Sequence, residues 1–314
     1  GASLIITVPS AVAVFAWLAT IWTGRPAINT AFLFFSSMIV LFVIGGVSGF
    51  MTGSVPVDLQ LTDTYFVVAH IHYVLIGINV FPVVGAVYYW FPKFTGRLLN
   101  ERLGQWNFWT MFVGFNVGFF PMHLVGLLGM PRRIYTYPPG MGWSTDNLII
   151  SIGSFLFAAG VAMLVVNIIL GLRSGRRTGR NPWDAPTLEW SVPSPPPPYN
   201  FDVIPKIESR HPLWEGHLGR TTARTHLDQG LLLDVGRETI ATTPLDAIPD
   251  LILRMPEDSL APLGLATGLS VLFISGLVHV WWGVGLGLAI VAAALIAWFW
   301  PIASPRPHAG SIDG

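Results

Sequence analysis

Long uninterrupted apolar stretches dominate the chain and determine the expected fold. Each is about 20 residues long, the length that an α-helix needs to cross a bilayer, where a helix satisfies its own backbone hydrogen bonds. Seven stretches qualify, and they lie roughly at residues 2–22, 30–51, 64–90, 106–130, 148–172, 263–280 and 284–300. The pattern predicts an all-α polytopic membrane protein with about seven transmembrane helices.

One long polar segment separates the fifth apolar stretch from the sixth. It begins with a cluster of arginines and includes the run Pro195-Pro196-Pro197-Pro198, which favours extended polyproline geometry over a packed core. We interpret this segment as a surface strap. The expected domains are a five-helix unit, the polar strap, a transmembrane hairpin and a tail, at residues 1–172, 173–262, 263–301 and 302–314.

Composition agrees with a membrane protein and excludes several function classes. Only 11% of the 314 residues are charged, less than half the share usual in soluble domains. Disorder is excluded because it accompanies low hydrophobicity and high net charge, whereas 52% of the residues are apolar and the net charge is zero. With no basic excess, nucleic acid is not an expected partner. Without cysteine, any metal must be bound by histidine, carboxylate or backbone groups.

Basic residues near the short loops predict the orientation in the membrane. Arg25, the loop after the third stretch and the arginine cluster after the fifth all fall on one side, whereas the other side carries only Arg132 and Arg133. We therefore expect a cytoplasmic C-terminus and a first span that enters from outside. Because the chain lacks an initiator Met and a signal peptide, we expect Gly1 to be internal to a longer protein.

The third apolar stretch contains two histidines, His70 and His72. Positions two apart on a helix are separated by roughly 200°, so the two rings should point to opposite faces. One metal bound by both is disfavoured, since ligand pairs on one face lie three or four residues apart. The spacing suits a helix between two prosthetic groups, each receiving one imidazole, as haem iron does. The alternative is that both are hydrogen-bonded packing residues.

The residues around these histidines resemble subunit I of the haem–copper oxidases, the catalytic subunit of cytochrome c oxidase. The run TDTYFVVAHIHYVL at residues 62–75 is similar to the tenth-helix signature of that family. The run FFPMHLVGLLGMPRR at residues 119–133 is similar to the end of helix eleven and the following loop. The resemblance covers residues 1–200 and implies that the first five spans are helices eight to twelve of a twelve-helix core.

The resemblance implies roles for individual residues. His70 matches the iron ligand of the high-spin haem, where oxygen is reduced, and His72 matches one axial ligand of the low-spin haem. Arg132 and Arg133 match a pair that holds haem propionates, although a pair of interfacial anchors is the alternative. Asp63 matches a carboxylate near a magnesium site, and the alternative is a first-turn acid favoured by the helix dipole.

Two positions depart from the pattern of that family. Thr62 stands where many members have a histidine that binds magnesium, so the magnesium site is expected to be altered or absent. Ala13 stands where many members have a proton-channel lysine, and alanine cannot relay a proton. A proton route along this helix would need water or different residues.

The resemblance also implies an enzyme larger than this chain. The copper ligands, the cross-linked tyrosine and the second low-spin axial ligand are expected upstream of Gly1, so this chain alone should not reduce oxygen. The complete enzyme would pass electrons from low-spin haem to a haem–copper centre and reduce O2 to water with proton translocation. Expected partners are the N-terminal part of subunit I, a subunit II with the electron entry site, a subunit III or equivalent, and cytochrome c or quinol.

The expected location is the inner membrane of a bacterial cell, and the hairpin at residues 263–301 is similar to a C-terminal extension found in some members. The hairpin could also be a plain anchor. Two other functions stay open at this point. One is nitric oxide reduction by a relative with the same helical core, and the other is a non-enzymatic transporter or assembly scaffold.

Overall fold

A computed structural model describes residues 2–197, 201, 207, 209–215, 238–246, 249–254 and 258–300. The chain divides into two compact units, residues 1–196 and 197–314. The predicted tail at residues 302–314 and much of the predicted strap lie outside the described residues. The predicted domain boundaries stay a prediction.

The first unit is helical. Its α-helices are α1 Ala2–Ile5, α2 Thr7–Thr23, α3 Thr30–Gly53, α4 Val55–Leu61, α5 Tyr65–His72, α6 Phe81–Thr95, α7 Glu101–Leu127 and α8 Ser144–Ser174. The helix α5 continues through a π-helical segment, Tyr73–Val80, directly into α6, and a short 3-10 helix follows at Leu188–Trp190. A π-helical segment is rare and is frequently found next to a functional site.

Each of the seven predicted stretches coincides with an apolar helix or a continuous series of helices. Among the described residues, five helical segments are long and apolar enough to cross a membrane: Thr30–Gly53, Tyr65–Thr95, Glu101–Leu127, Ser144–Ser174 and Trp281–Phe299. The other two, Thr7–Thr23 and Ala261–Leu277, are apolar helices of 17 residues each. That length is at the lower end of the range that spans a bilayer.

Polar caps determine where the long helices begin. The side chains of Asn29, Thr64 and Asn100 precede α3, α5 and α7, and each accepts a hydrogen bond from a backbone N–H in the first turn, at 2.9, 3.3 and 3.0 Å. These bonds satisfy backbone donors that the helix itself leaves unpaired. The helix α6 ends at Gly96, whose φ of 68° is a left-handed conformation that glycine adopts without a steric penalty.

Close helix contacts and buried polar groups stabilise the first unit. The helices α7 and α8 approach closely where Gly118 faces Gly153, and a Cβ added at Gly118 would lie 3.2 Å from the Gly153 carbonyl carbon. Between α6, α7 and α8, the Tyr88 hydroxyl donates to Asn107 Oδ1 at 3.1 Å and accepts from Asn167 Nδ2 at 3.1 Å. Such polar contacts between apolar helices avoid unpaired groups in the membrane interior.

The beginning of the predicted strap packs onto α6. Lys93 is only 4% exposed, and its Nζ donates to the backbone oxygens of Val192 at 2.8 Å and Arg180 at 3.1 Å. The Trp183 indole donates to the Tyr89 backbone oxygen at 2.8 Å. These contacts explain why the first compact unit continues to residue 196, well beyond the end of α8.

The second unit contains two apolar helices and a short sheet. The helices α9, Ala261–Leu277, and α10, Trp281–Phe299, approach closely at Gly268, where an added Cβ would lie 2.9 Å from the Val291 amide nitrogen. The strands β1, Glu238–Thr242, and β2, Pro249–Arg254, pair antiparallel with Ile240 opposite Ile252. The membrane-spanning part is therefore helical as predicted, and the strap adds one β-hairpin that the apolar pattern did not indicate.

Candidate haem-binding site

The helix that carries the two histidines packs against α3 on one side and α7 on the other. At Gly45 of α3, an added Cβ would lie 3.3 Å from Tyr73 Cβ. At Gly126 of α7, an added Cβ would lie 2.7 Å from Phe66 Cα. Small residues on both neighbours therefore let the three backbones approach closely, which limits how far α5 can rotate or slide.

The ring of His70 is turned toward α3. Its Nδ1 lies 3.1 Å from the Gly45 backbone oxygen and 3.0 Å from Ser48 Oγ. The Ser48 hydroxyl also donates to the Gly45 oxygen at 3.0 Å. Gly49 borders the ring so closely that an added Cβ would lie 2.9 Å from His70 Cε1. Polar atoms and a glycine of α3 therefore determine where this imidazole lies.

The ring of His72 is held differently, by its own helix and by α7. Its Nδ1 donates to the Val68 backbone oxygen, one turn earlier in α5, at 2.7 Å. The imidazole stacks on the Phe119 ring of α7 with a centroid separation of 4.5 Å and an interplanar angle of 18°. The two histidines thus contact different neighbouring helices, in agreement with the roughly 200° that their spacing predicts.

Both rings present the same nitrogen for a metal. A backbone carbonyl can only accept a hydrogen bond, so Nδ1 carries the proton in His70 and in His72. The Nε2 atom of each ring then has the lone pair, and among the described residues it has no hydrogen-bond partner. Neutral imidazole with its Nδ1–H bound to a carbonyl is the usual form of an axial haem ligand. The residues present fit haem iron, and ligation itself stays a prediction.

The loop after α7 is tied to the start of α5. The Arg132 amide donates to the Asp63 backbone oxygen at 2.8 Å, and the Tyr65 amide donates to the Met130 backbone oxygen at 3.0 Å. The Arg132 guanidinium forms an ion pair with the Asp63 carboxylate, in which Nε donates to Oδ1 at 2.7 Å. This connection places Arg132 and Asp63 beside each other at the end of α5 that precedes the histidines.

The two arginines have different environments. Arg132 is paired and its side chain is 29% exposed, whereas Arg133 is exposed and has a left-handed backbone with φ of 65°. A positive φ is uncommon for a residue other than glycine and indicates a constrained turn. The sequence resemblance treated the arginines as an equivalent pair, and the structure distinguishes them. Propionate binding by either one is a prediction.

The carboxylate of Asp63, the predicted magnesium ligand, pairs with Arg132. Within the part of the chain that the structure describes, no three His, Asp or Glu residues form a group that could hold a metal ion. Other ligands would have to come from outside these residues if Asp63 binds magnesium. The magnesium site stays a prediction.

Sequence reasoning did not identify three of the residues that contact the histidine rings: Ser48, Gly49 and Phe119. The only sequence signal was a serine beside a glycine within an apolar helix, because polar side chains in membrane helices usually have a partner. His123 lies in the second family motif, at residues 119–133. It is 7% exposed and lies edge-on to the Phe66 ring at 4.9 Å.

The structure is that of a polytopic helical membrane protein with two candidate haem ligands, and comparison with known proteins identifies its family. Residues 1–156 match the family described as cytochrome c and quinol oxidase polypeptide I. Cytochrome c oxidase subunit 1 of Bacillus subtilis (strain 168) is 40% identical over 303 residues, which cover 94% of this chain and 45% of that protein. The same subunit of Alkalihalophilus pseudofirmus is 47% identical over 214 residues, which cover 68% of this chain and 34% of that protein.

A solved structure described as a heme–copper terminal oxidase dimer is 22% identical to this chain. The similarity covers 50% of this chain and 29% of that one, with a TM-score of 0.44.

This chain belongs to the cytochrome c and quinol oxidase polypeptide I family, as its two long motifs indicated. It is a multi-pass integral membrane protein. Membership in this family implies haem and copper in general terms. The chain spans less than half the length of the curated relatives described above.

Proposed function

We propose that this chain is part of the catalytic subunit of a respiratory terminal oxidase. The complete enzyme transfers electrons from low-spin haem to a haem–copper centre and reduces O2 to water with proton translocation. The observation that carries this proposal is the pair of imidazoles on α5. His70 and His72 contact different helices, and each has Nδ1 bound to a carbonyl and Nε2 without a partner among the described residues.

In this proposal, His70 binds the iron of the high-spin haem and His72 binds the iron of the low-spin haem. Haem iron, when bound, supplies the one-electron chemistry. The chain's own residues hold the two imidazoles on either side of one helix, so that both haems are positioned by the same rigid element.

The loop at the start of α5 is proposed to bind the haem propionates. The Arg132 guanidinium uses Nε and one terminal nitrogen for Asp63, so its other terminal nitrogen has no partner among the described residues. Arginine is always charged and binds carboxylates through its planar donors. Arg133, exposed on the same turn, is the second propionate ligand in this proposal. Asp63 also remains the candidate magnesium ligand.

The complete enzyme is proposed to include residues and chains that this one does not contain. Copper would be bound by the N-terminal part of subunit I. This chain has no cysteine, so a thiolate copper site for electron entry would be formed by other parts of the complex, and we propose that it lies on subunit II. A subunit III or equivalent, and cytochrome c or quinol as electron donor, complete the set.

The proposed location is the inner membrane of a bacterial cell, with the C-terminus of this chain in the cytoplasm. Support comes from the bacterial sources of the two relatives and from the basic residues. Lys93 and Arg97 lie at the end of α6, on the side opposite the loop that carries Arg132 and Arg133. The side richer in basic residues is the cytoplasmic one.

The proposal is tested by replacing each histidine separately in the complete complex. We expect His70→Ala to abolish the carbon monoxide-sensitive spectrum of the high-spin haem and His72→Ala to abolish the low-spin bands. Oxygen consumption should fall by more than roughly 100-fold in both, since even outer residues around a metal site contribute 10- to 100-fold. His211→Ala, at an exposed histidine outside the helical core, should change neither spectrum.

Two results would contradict the proposal. One is that both haem spectra persist in the His70→Ala and His72→Ala complexes, which would make these histidines packing residues. The other is that the native complex reduces nitric oxide and does not consume oxygen, which would assign it to a related reductase. Reduced-minus-oxidised spectra and gas-electrode measurements on the same preparations distinguish these results.

A further inference from the structure

Ser48 forms a closed triangle of polar contacts with the candidate ligand of the high-spin haem. Its hydroxyl lies 3.0 Å from His70 Nδ1 and 3.0 Å from the Gly45 backbone oxygen, and that oxygen lies 3.1 Å from the same nitrogen. Ser48 is 4% exposed, so water does not replace these contacts. Removal of any one of the three polar groups therefore changes the hydrogen bonds of the other two.

The triangle can be satisfied by only one arrangement of protons. The Gly45 oxygen can only accept, so the serine O–H and the imidazole Nδ1–H both donate to it. The Nδ1–H also reaches Ser48 Oγ, which becomes a second acceptor for the same proton. Because the hydroxyl donates to a carbonyl, its oxygen is polarised and is a stronger acceptor than an isolated hydroxyl.

Ser48 also acts together with the glycine that follows it. Gly49 lies beside the ring atom next to Nδ1, where an added Cβ would be 2.9 Å from Cε1. The imidazole thus has a hydrogen-bonding contact at Nδ1 and a steric boundary at Cε1, both from one turn of α3. Together they restrict rotation of the ring about its bond to Cβ.

We propose that Ser48 is a positioning residue for His70: its hydroxyl fixes the rotation of the imidazole and raises the basicity of Nε2 toward iron. This inference rests on the proposed function, in which His70 binds the high-spin haem. A partner that accepts from the distal nitrogen of a metal-bound imidazole increases electron donation from the other nitrogen. Loss of the hydroxyl should therefore weaken the bond between iron and Nε2.

The experiment compares serine variants in the complete oxidase complex by resonance Raman spectroscopy of the reduced high-spin haem. We expect Ser48→Ala to lower and broaden the iron–histidine stretching band at unchanged haem content. The matched control is Ser37→Ala. Ser37 lies in the same helix, is 5% exposed and donates to the backbone oxygen three residues earlier at 2.8 Å, as Ser48 does, but it does not contact a histidine.

A second pair of variants separates the hydroxyl from packing. Threonine and valine have the same shape, and only threonine retains the hydroxyl. We expect Ser48→Thr to keep the iron–histidine band near its native frequency and Ser48→Val to lower it. The comparison of Ser48→Thr with Ser48→Val still tests the hydroxyl if the Ser48→Ala complex assembles poorly, because threonine and valine occupy the same volume.

The outcomes distinguish this inference from the proposed function. If the band is the same in Ser48→Thr and Ser48→Val complexes that contain the full set of haems, Ser48 does not position His70, and the haem assignment stands. If the band persists in the His70→Ala complex, His70 is not the ligand, and the proposed function fails together with the inference. A band lowered in Ser48→Val and not in Ser48→Thr supports both.

Discussion

The two sides of α5 hold chemically identical side chains by different means. On the α3 side, His70 contacts a serine hydroxyl and a backbone oxygen from another helix, so its position depends on how α3 and α5 dock. On the α7 side, His72 bonds to its own helix and stacks on an aromatic ring. Changes in α3 should therefore affect His70 alone. Changes in α7 should affect His72 weakly, because its hydrogen bond is local.

The largest expected effect comes from crowding the α3 side with Gly49→Ala. A Cβ at 2.9 Å from His70 Cε1 is closer than real contacts allow, so the ring must shift. We expect oxygen consumption to fall roughly 10- to 100-fold, as for other changes that displace a metal ligand indirectly. The low-spin spectrum should be unchanged.

Gly46→Ala is the matched control for this prediction. It adds the same methyl group to the same helix, at a position where the new Cβ would meet no atom of another element within 4 Å. The Gly46→Ala complex should consume oxygen at least roughly 10-fold faster than the Gly49→Ala complex. Equal losses in the two variants would mean that His70 does not depend on close contact with α3.

An intermediate effect is expected from Tyr73→Phe, which weakens the contact between α7 and the π-helical segment that continues α5, and which changes neither His70 nor His72. Tyr73 is fully buried, and its hydroxyl donates to Asn116 Oδ1 at 2.8 Å. Loss of the donor leaves a partly buried acceptor, Asn116 Oδ1, unpaired, at a cost of about 1–2 kcal/mol in stability. The thermal unfolding midpoint of the complex should fall while both haem spectra persist.

The double variant with Tyr73→Phe and Asn116→Leu checks the cause of this loss. Replacing both partners by apolar groups removes the unpaired acceptor, so the midpoint should recover toward the native value. A double variant that is as unstable as the sum of the two single ones would show that the hydroxyl and the amide do not interact.

The smallest effect is expected on the α7 side from Phe119→Leu, which removes the ring stacked on His72 at 4.5 Å. Such an aromatic pair contributes about 0.5–1.5 kcal/mol beyond its buried area. We expect a small displacement of the low-spin absorption band and no change in the high-spin band. Phe155→Leu, at a ring that is 79% exposed on α8, is the control. A displaced high-spin band would mean that His72, which stacks on Phe119, binds the high-spin haem and not the low-spin haem.

Several features of the molecule followed from local sequence pattern. The apolar runs predicted the long helices because the thickness of a bilayer sets their length, and no knowledge of neighbours is needed. The angular separation of His70 and His72 around the helix followed from helix geometry alone, and the structure places the two rings against different helices. The motif around them identified the family. The hairpin of β1 and β2 was not predicted, because its short strands carry no long apolar run.

By itself, then, the sequence determined the membrane-spanning character of this chain, the two-sided placement of its histidines and its family, since each depends on composition, helical period or motif. Only the tertiary structure brought Ser48 to His70, 22 residues later, and Arg132 to Asp63, 69 residues earlier. Such contacts arise when helices far apart in sequence pack together. The periodicity of one helix does not indicate which other helix will pack against it. The packing of the helices therefore determines the different environments of the two imidazoles.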